Sequence, residues 1–322
     1  MQRFAVISAT GTARKRTIPA LADSELAVVT AIHGRDEGRL RALADDHSIP
    51  RWTTSVDELL AADGIDAVFV ASPPFLHVDH VEAALAAGLP ILCEKPLAAS
   101  LADAERIVSA VRERGAPFGV AHHLRHQPAV VWLREQLATG MIGEVRTAHL
   151  QWSFVMDHDA PNAKWKLDPE LGGRHALFDA GVHAVDLAIH LFGEPVRSTG
   201  LAATVRSART ADTASVLIEF DHGVLVTVTG SHAASHHGNT LEISGSDGAI
   251  VAFGGMGERP IEQLDVVTAE GSATQRFEPG SPYRFVVEDF VRQIEGATPR
   301  AAVTTLDEAT WAMKVLEAVA GE

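Results

Sequence analysis

Short apolar runs alternate with amphipathic stretches of helical period over about the first 120 residues. The apolar runs predict buried strands at residues 3–7, 26–32, 66–71, 91–94 and 118–121, with a brief further strand near residue 52. The amphipathic stretches predict helices at residues 13–22, 36–46, 56–62, 77–87 and 101–114. Buried strands separated by helices are typical of a parallel sheet that is covered on both faces. We therefore predict an α/β fold that begins with a doubly wound parallel sheet.

The pattern changes after residue 122. It predicts helices at residues 128–138, 177–191, 284–294 and 306–319, and strands at 144–155, 198–205, 215–220, 224–229, 240–244, 249–252 and 263–267. Alternation along 224–229 favours an antiparallel sheet with one exposed face. We predict a Rossmann-type nucleotide-binding domain at 1–122 and an α+β domain at 123–322 with an open-faced, mainly antiparallel sheet. The terminal helices of the second domain can pack back on the first.

Composition narrows the class of protein. The 322 residues are 46% hydrophobic, and no apolar run is long enough to span a bilayer or to act as a signal sequence. The single cysteine excludes an internal disulfide and fits a reducing cytoplasm. The formal charge of −15 argues against a polyanionic partner. We expect a cytoplasmic protein that binds neither nucleic acid nor a membrane.

The fifth predicted strand ends in Glu94-Lys95-Pro96. In open α/β sheets ligands bind beyond the carboxyl ends of the strands, so Lys95 is a candidate ligand-binding residue. The same residues also suit a strand-terminating turn with a solvated lysine. Cys93 is expected to be buried and unreactive, because the neighbouring Glu94 disfavours a thiolate.

The loop after the first strand departs from the usual dinucleotide fingerprint. That fingerprint, Gly-x-Gly-x-x-Gly/Ala, lets backbone N–H groups approach a pyrophosphate. The chain instead reads Ser8-Ala9-Thr10-Gly11-Thr12-Ala13, with hydroxyl side chains at the first two glycine positions. These hydroxyls are able to donate to phosphate, although a plain strand–turn–helix accounts for the loop equally well.

The second strand ends in His33-Gly34-Arg35-Asp36. Gly34 leaves room for a 2′-phosphate, and Arg35, assisted by Arg39, is able to bind it through charge-assisted hydrogen bonds. This pattern favours NADP. NAD stays an alternative, because Asp36 can instead bind the ribose 2′-hydroxyl.

Asp179 and His183 are four residues apart, so in a helix both would project from one face. An aspartate in that position can orient a histidine that donates a proton near neutral pH. An acid at a helix N-terminus beside an unrelated histidine explains the spacing as well. Upstream, Gly172-Gly173 suggests a loop able to close over a ligand.

Several motifs together resemble the Gfo/Idh/MocA oxidoreductase family over nearly the whole chain. They are Glu94-Lys95-Pro96, Trp165-Lys166, Gly172-Gly173, Asp179-x-Gly-x-His183, His77, His122-His123-Leu124-Arg125 and Pro282-Tyr283. A narrower resemblance, carried by the hydroxyl loop and His-His-Leu-Arg, is to the NADP-dependent anhydro-sugar reductase branch. The family resemblance implies hydride transfer between a nicotinamide and a hydroxyl or carbonyl carbon of a sugar, inositol or related cyclic polyol.

The resemblance also implies site residues. It assigns Lys95, Asp179 and His183 to catalysis, with a cis bond between Lys95 and Pro96. Together with the strand-end loops it predicts cofactor contacts from Ser8, Ala9, Thr10, Gly11, Thr12, Ala13, Gly34, Arg35, Arg39, Ser72, Pro73, His77, Glu94, Lys95, Ala121, His123, Trp165, Lys166 and Tyr283. His123 and Arg125 are expected to border the cofactor or substrate.

Three departures from the family pattern keep other interpretations open. Two fingerprint glycines are replaced, Lys166 stands where arginine is usual, and Ser72-Pro73-Pro74 replaces a more usual polar residue after the proline. The altered glycine loop leaves a non-catalytic, cofactor-sensing regulatory protein as an alternative function. The remaining histidine clusters (His122, His123, His126; His232, His236, His237) lack zinc-site spacing, so we predict no metal. The exposed face of the second sheet is expected to form a homodimer or homotetramer.

Overall fold

Each apolar run predicted in the first 122 residues is a strand in the computed structural model, which describes residues 1–160, 163–207 and 209–320. The elements of this part are β1 (Gln2–Ile7), α1 (Thr12–Lys15), α2 (Thr17–Ala22), β2 (Ala27–His33), α3 (Glu37–Asp46), β3 (Arg51–Thr53), α4 (Val56–Leu60), β4 (Ala67–Val70), α5 (His77–Ala86), β5 (Ile91–Cys93), α6 (Leu101–Arg114) and β6 (Phe118–Val120).

The rest of the chain contains fewer helices and more strands. Its elements are α7 (Pro128–Ala138), β7 (Val145–Ser153), α8 (Ala163–Lys166), α9 (Val182–Phe192), β8 (Pro195–Ala203), β9 (Thr213–Phe220), β10 (Leu225–Ser231), β11 (Thr240–Gly245), β12 (Gly248–Phe253), β13 (Gln263–Thr268), β14 (Gly271–Arg276), α10 (Pro282–Ile294), α11 (Leu306–Glu317) and β15 (Val319–Ala320).

These elements divide between two compact units. The first comprises Met1–His123 and Ser281–Leu306, and the second comprises Leu124–Gly280 and Asp307–Glu322. Helix α10 therefore belongs to the first unit. The domain boundary placed at residue 122 from the sequence stays a prediction.

The first unit is built on a parallel sheet of six strands in the order β3-β2-β1-β4-β5-β6. The strand order reverses between β1 and β4, which is the switch point where ligands bind in such sheets. Helix α10 presents an apolar stripe to the core of this unit, and the ring of Phe290 meets that of Phe4 edge to face with centroids 6.4 Å apart. The doubly wound fold predicted from the sequence is confirmed.

The second unit is built on a nine-stranded sheet in the order β14-β13-β12-β11-β7-β10-β9-β8-β15. Most neighbours are antiparallel, as predicted, but β7 pairs with β10 and β8 pairs with β15 in parallel. Helix α9 packs on β7 and β10. Strand β14 was not predicted, because all six of its side chains are exposed and it carries no apolar alternation.

Two predicted helices need correction. The helix expected at 177–191 is a short 3-10 turn, Ala176–Phe178, followed by α9, so Asp179 precedes the helix that carries His183. The backbones of Gly181 and Gly230 approach so closely here that a Cβ atom on Gly230 would lie 3.0 Å from the Gly181 nitrogen. The helix expected at 13–22 is split into α1 and α2 at Arg16, whose φ of −128° is not helical.

Candidate functional site

The carboxyl ends of β1, β4, β5 and β6 carry the loops that the sequence singled out in the first unit. The hydrogen-bond ladder continues past the strands: Ala71 N–H donates to Ile7 O at 3.0 Å, Glu94 N–H to Val70 O at 2.8 Å, and Ala121 N–H to Cys93 O at 2.7 Å. The ladder therefore places the residues that follow these strands side by side at the carboxyl end of the sheet, which includes the switch point between β1 and β4.

Ser8 makes the turn that the first fingerprint glycine would normally make. Its φ is +63°, in the left-handed region that ordinary side chains disfavour by about 1–2 kcal/mol. Two contacts with His33 hold this turn: Ser8 N–H donates to the imidazole Nδ1 at 3.3 Å, and Ala9 N–H donates to the His33 carbonyl at 2.8 Å. The tight turn exists without the glycine.

The end of β2 lies against the same loop. A Cβ atom at Gly34 would lie 3.3 Å from the Thr10 side chain and 3.2 Å from Leu40, so glycine lets the two strand-end loops meet closely. Arg35 and Arg39 are exposed. Asp36 accepts a hydrogen bond from Arg39 N–H at 2.9 Å and caps α3, so this carboxylate already has a structural partner.

Three histidines connect the strand-end loops, and the sequence pointed only to His77. His77 is fully buried, with Nδ1 3.0 Å from Leu97 O and Nε2 2.8 Å from Ser72 O. Any effect of His77 on a cofactor is therefore exerted through the loops it bridges. His80 Nδ1 lies 2.9 Å from the Ser72 hydroxyl, and its ring meets the His33 ring edge-on with centroids 6.2 Å apart.

Burial disfavours the charged form of these imidazoles. It lowers the pKa of His33 and His77, and it lowers the pKa of His80 to about 4, with repulsion from His33 and His77 adding to the shift. A neutral His33 is able to accept the Ser8 N–H through Nδ1.

The strand-end motif of β5 has the backbone expected from the resemblance, since the Lys95–Pro96 bond is cis. Lys95 and Glu94 are half-buried, and Lys95 N–H donates to the Glu94 carboxylate at 3.2 Å. Cys93 is buried as predicted. Burial raises the pKa of its thiol well above the ordinary value, so the thiol is unreactive.

Helix α10 brings Tyr283 to the strand-end region of the first unit. The ring of His123 stacks on that of Tyr283 with centroids 4.4 Å apart, and the Arg16 guanidinium lies 5.5 Å from the tyrosine ring centre. Burial raises the pKa of the Tyr283 hydroxyl to about 12, so it is a donor at neutral pH. The sequence did not point to Arg16.

In the second unit, Lys166 and Asp179 form an ion pair. Lys166 Nζ donates to Asp179 Oδ2 at 2.6 Å, and both side chains are 17% exposed. The ammonium group also lies 5.7 Å from the ring centre of Trp165. The chain folds back tightly beside this pair, because a Cβ atom on Gly172 would lie 2.6 Å from the Trp165 carbonyl oxygen.

The imidazole of His183 is buried against an indole. Its ring stacks on that of Trp152 with centroids 4.4 Å apart and planes inclined by 18°. Trp152 on β7 is the register partner of Gly230 on β10, the glycine that admits Gly181. The two strands therefore determine the start of α9 and the orientation of His183.

His232 reaches Asp179 as well. It follows β10, and its Nε2 lies 3.3 Å from Asp179 Oδ2, the oxygen that Lys166 also contacts. The sequence placed His232 in a cluster with His236 and His237. The structure separates them, because His232 is 2% exposed whereas the other two are exposed.

Arg125 lies deep in the second unit. It is fully buried, and its guanidinium binds Asp186 through two hydrogen bonds of 3.0 and 2.6 Å and Glu308 at 3.2 Å. This arrangement joins α9 to α11. Among the described residues, no group of three or more histidine, cysteine, aspartate or glutamate side chains is arranged to hold a metal ion.

No helix within residues 1–160, 163–207 and 209–320 has both the length and the apolar character needed to cross a membrane.

The first unit fits a dinucleotide. It has a parallel sheet with its switch point at β1 and β4, a tight left-handed turn at Ser8, and a glycine at the end of β2 with exposed Arg35 beside it. These features define a dinucleotide-binding type of protein.

The chain belongs to the Gfo/Idh/MocA family. Residues 2–122 match the family model described as the oxidoreductase family, NAD-binding Rossmann fold, and residues 130–251 match the GFO/IDH/MocA C-terminal domain. The protein is therefore an oxidoreductase with an NAD(P)-binding first unit, and the resemblance found in the sequence is confirmed.

Relatives match over almost the whole chain. The 1,5-anhydro-D-fructose reductase of Ensifer adhaerens is 29% identical, over 97% of this chain and 93% of the relative. The D-xylose 1-dehydrogenase (NADP(+)) 2 of Haloferax volcanii is 30% identical, over 98% of this chain and 95% of the relative. The solved aldose-aldose oxidoreductase from Caulobacter crescentus shares the fold, with a TM-score of 0.88, 22% identity, and coverage of 98% of this chain and 96% of that one.

Proposed function

We propose that this protein is an NAD(P)-dependent oxidoreductase that acts on a hydroxyl or carbonyl carbon of a sugar, inositol or related cyclic polyol. The observation that supports this most directly is the polar cluster in the second unit. There, Asp179 is paired with Lys166 at 2.6 Å, just before the helix that carries the buried His183. Relatives named as a sugar reductase and a sugar dehydrogenase support the same substrate class.

Each member of the proposed catalytic set has its own role. His183 gives a proton to the substrate oxygen in reduction and removes it in oxidation. Asp179 orients the imidazole and sets its tautomer. Lys95 polarises the substrate oxygen and stabilises negative charge on it. Lys166 balances the charge of Asp179 in a partly buried position.

The nicotinamide, when bound, supplies or accepts the hydride. We propose that the backbone N–H groups and hydroxyls from Ser8 to Ala13 bind the pyrophosphate, and that Tyr283 and His123 line the cofactor site. Arg35 is proposed to bind the 2′-phosphate of NADP, the preferred cofactor. The Asp36 carboxylate already caps α3 by accepting from Arg39 N–H, so it is less available to bind the ribose hydroxyl of NAD.

Turnover measurements test the proposed catalytic set. We expect His183→Ala to lower kcat by about 10²–10⁴-fold, the range for loss of a general acid–base group. Lys95→Ala should lower it by about 10²-fold or more through lost oxyanion stabilisation. His47→Ala and Lys314→Ala, at exposed positions, are the matched controls. Rates near wild type in both site variants on an accepted polyol would contradict the mechanism.

Cofactor preference depends on Arg35. We expect Arg35→Ala to weaken NADPH binding by about tenfold or more, the value of one charge-assisted hydrogen bond, and to leave NADH binding within about twofold. Arg41→Ala, on the exposed side of α3, is the control. Equal losses for both nucleotides in a fluorescence titration would remove the argument for NADP.

The regulatory alternative rested on the altered glycine loop. Ser8 makes the left-handed turn without a glycine, so the loop no longer favours that alternative. Nucleotide binding without turnover on a broad panel of sugars and polyols would revive it.

We propose that the protein forms a homodimer or homotetramer through the open face of the nine-stranded sheet. Leu217 and Leu225 are each 40% exposed on this face, and Leu201 is 76% exposed. Light scattering should give the mass of a dimer or tetramer, and Leu217→Lys with Leu225→Lys should reduce it. A monomeric wild-type protein at micromolar concentration would contradict the proposal. The cytoplasmic location stays a prediction.

A further inference from the structure

His232 is held rigidly at the end of β10. Its backbone N–H donates to the Asp212 carbonyl at 2.7 Å, and its own carbonyl accepts from Met156 N–H at 2.9 Å. The ring of Phe154 lies beside the imidazole with centroids 5.0 Å apart. These contacts leave rotation about the side-chain bonds as the main freedom of the imidazole.

The imidazole has an unusual hydrogen-bonding state for a buried group. Its side chain is 3% exposed, and within the part of the chain that the structure describes neither ring nitrogen makes an aligned hydrogen bond. A buried polar group left in this state costs about 1–3 kcal/mol. The 3.3 Å approach of Nε2 to Asp179 Oδ2 is the contact that can relieve this penalty after a small rotation.

The carboxylate oxygen that His232 faces is the one bound by Lys166. Oδ2 of Asp179 therefore lies between an ammonium group at 2.6 Å and an imidazole nitrogen at 3.3 Å, which approach it from α8 and from the end of β10. A second donor on this oxygen, in addition to Lys166, would restrict the plane of the carboxylate and therefore the direction in which Oδ1 points. Lys166 alone, on a flexible four-carbon side chain, gives a weaker constraint.

We propose that His232 is a positioning residue for the proposed catalytic aspartate: its Nε2–H donates to Asp179 Oδ2 and fixes the orientation of the carboxylate. This inference rests on the proposed function, because it acts through Asp179 on the same reaction. His232 makes no contact with substrate in this scheme, since both ring nitrogens are inaccessible to solvent. Its effect is on the geometry in which Asp179 holds His183 and the substrate.

Two substitutions separate positioning from packing. His232→Phe keeps a ring against Phe154 but removes the donor, whereas His232→Gln places an amide N–H near the former Nε2 position. We expect His232→Phe to lower kcat by about 10- to 50-fold, as misplacement of a catalytic group does. NADPH affinity should stay within about twofold, and His232→Gln should recover kcat to within about fivefold of wild type. His236→Phe, at an exposed position in the next turn, is the control.

A spectroscopic measurement on the whole protein tests the contact without turnover. In ¹⁵N-histidine correlation spectra, we expect the His232 signals to report Nε2–H as the protonated nitrogen and to shift in Asp179→Asn. The His236 signals should not shift. This measurement shows whether His232 donates to Asp179 even if His232→Phe does not fold.

The outcomes distinguish this inference from the proposed function. Wild-type kcat in His232→Phe, or equal losses in the Phe and Gln variants, would overturn the positioning role while His183→Ala still abolishes turnover. Unchanged His232 signals in Asp179→Asn would overturn it as well. If His183→Ala also keeps its rate, the proposed function itself fails.

Discussion

The candidate sites of the two units differ in whether main chain or side chains form them. In the first unit the site is shaped by main chain: a left-handed turn at Ser8, a glycine at the end of β2, and backbone groups held by buried imidazoles. In the second unit it is made of polar and charged side chains: Lys166 Nζ lies 2.6 Å from Asp179 Oδ2, and His232 Nε2 lies 3.3 Å from the same oxygen. A main-chain site tolerates a change of residue type wherever the new residue can adopt the same φ and ψ. A site made of charged side chains is expected to lose function when a single charged group is removed.

The largest effect on kcat should come from removing the negative charge of Asp179. Asp179→Asn keeps the shape of the side chain but leaves the partly buried Lys166 ammonium without its counter-charge. We expect kcat to fall by about 10²–10³-fold, with the loss in kcat exceeding any loss in nucleotide affinity. Asp168→Asn, which breaks the more exposed pair with Arg209, should change kcat by less than about twofold. Similar kcat values for these two variants would show that the Lys166–Asp179 pair is no more important to catalysis than the exposed pair.

The second largest effect should come from a substitution at Gly230, whose backbone lies close to that of Gly181. Gly230→Ala would place a Cβ atom 2.9 Å from Leu177 Cδ2 and 3.0 Å from the Gly181 nitrogen, and backbone cannot move aside cheaply. We expect the free energy of unfolding in urea to fall by about 2 kcal/mol, as overpacking does. Gly257→Ala has no atom within 4 Å of the new Cβ and should change it by less than about 0.5 kcal/mol.

The His80 imidazole of the first unit should make the stability of the protein depend on pH. Because burial lowers the pKa of His80 to about 4 in the folded state, the unfolded chain binds more protons than the folded chain between about pH 4 and 6.5. His80 therefore disfavours folding progressively as the pH falls through this window. We expect the stability lost between pH 7 and pH 5 to be about 1–2 kcal/mol smaller in His80→Gln than in wild type. The same loss in both proteins would show that His80 is not held neutral.

The smallest effect should follow from restoring the family glycine. Ser8→Gly relieves left-handed strain in the folded state but gives the unfolded chain more freedom, so the two terms offset to within about 1 kcal/mol. NADPH affinity should change by less than about threefold if the turn alone matters. Ser8→Ala, which keeps the strain and removes the hydroxyl, shows whether the hydroxyl binds phosphate. A large loss of NADPH affinity in Ser8→Gly would mean that the serine side chain, rather than the main-chain turn, binds the cofactor.

Much of the first unit could be read from local patterns. The apolar runs of β1, β4 and β5 are buried on both faces, so their hydrophobicity is continuous and easily recognised. Ser100 caps α6 by accepting from Asp103 N–H at 3.2 Å, a local contact between residues three apart in the chain. The second unit was read less completely. Strand β14 carries no apolar signal, and the break before α9 depends on a glycine about fifty residues further along the chain.

The candidate residues divide in the same way. Lys95, Asp179 and His183 belong to short motifs, and the sequence singled them out. His33, His80, His232 and Arg16 have no local motif, and each is significant only through a partner in another element. The cofactor contact expected of Lys166 stays a prediction, and its ion pair with Asp179 was found only in the structure.

The sequence by itself determined the alternation of strands and helices, the strand-end lysine, the acid–imidazole motif and the family. These are properties of residues close together in the chain, where hydrophobic period and turn chemistry act. Only the tertiary structure decided that a serine makes the glycine turn, and that Lys166 and His232 both approach one oxygen of Asp179. Those features depend on distances between atoms that are far apart in sequence, and packing alone brings such atoms together.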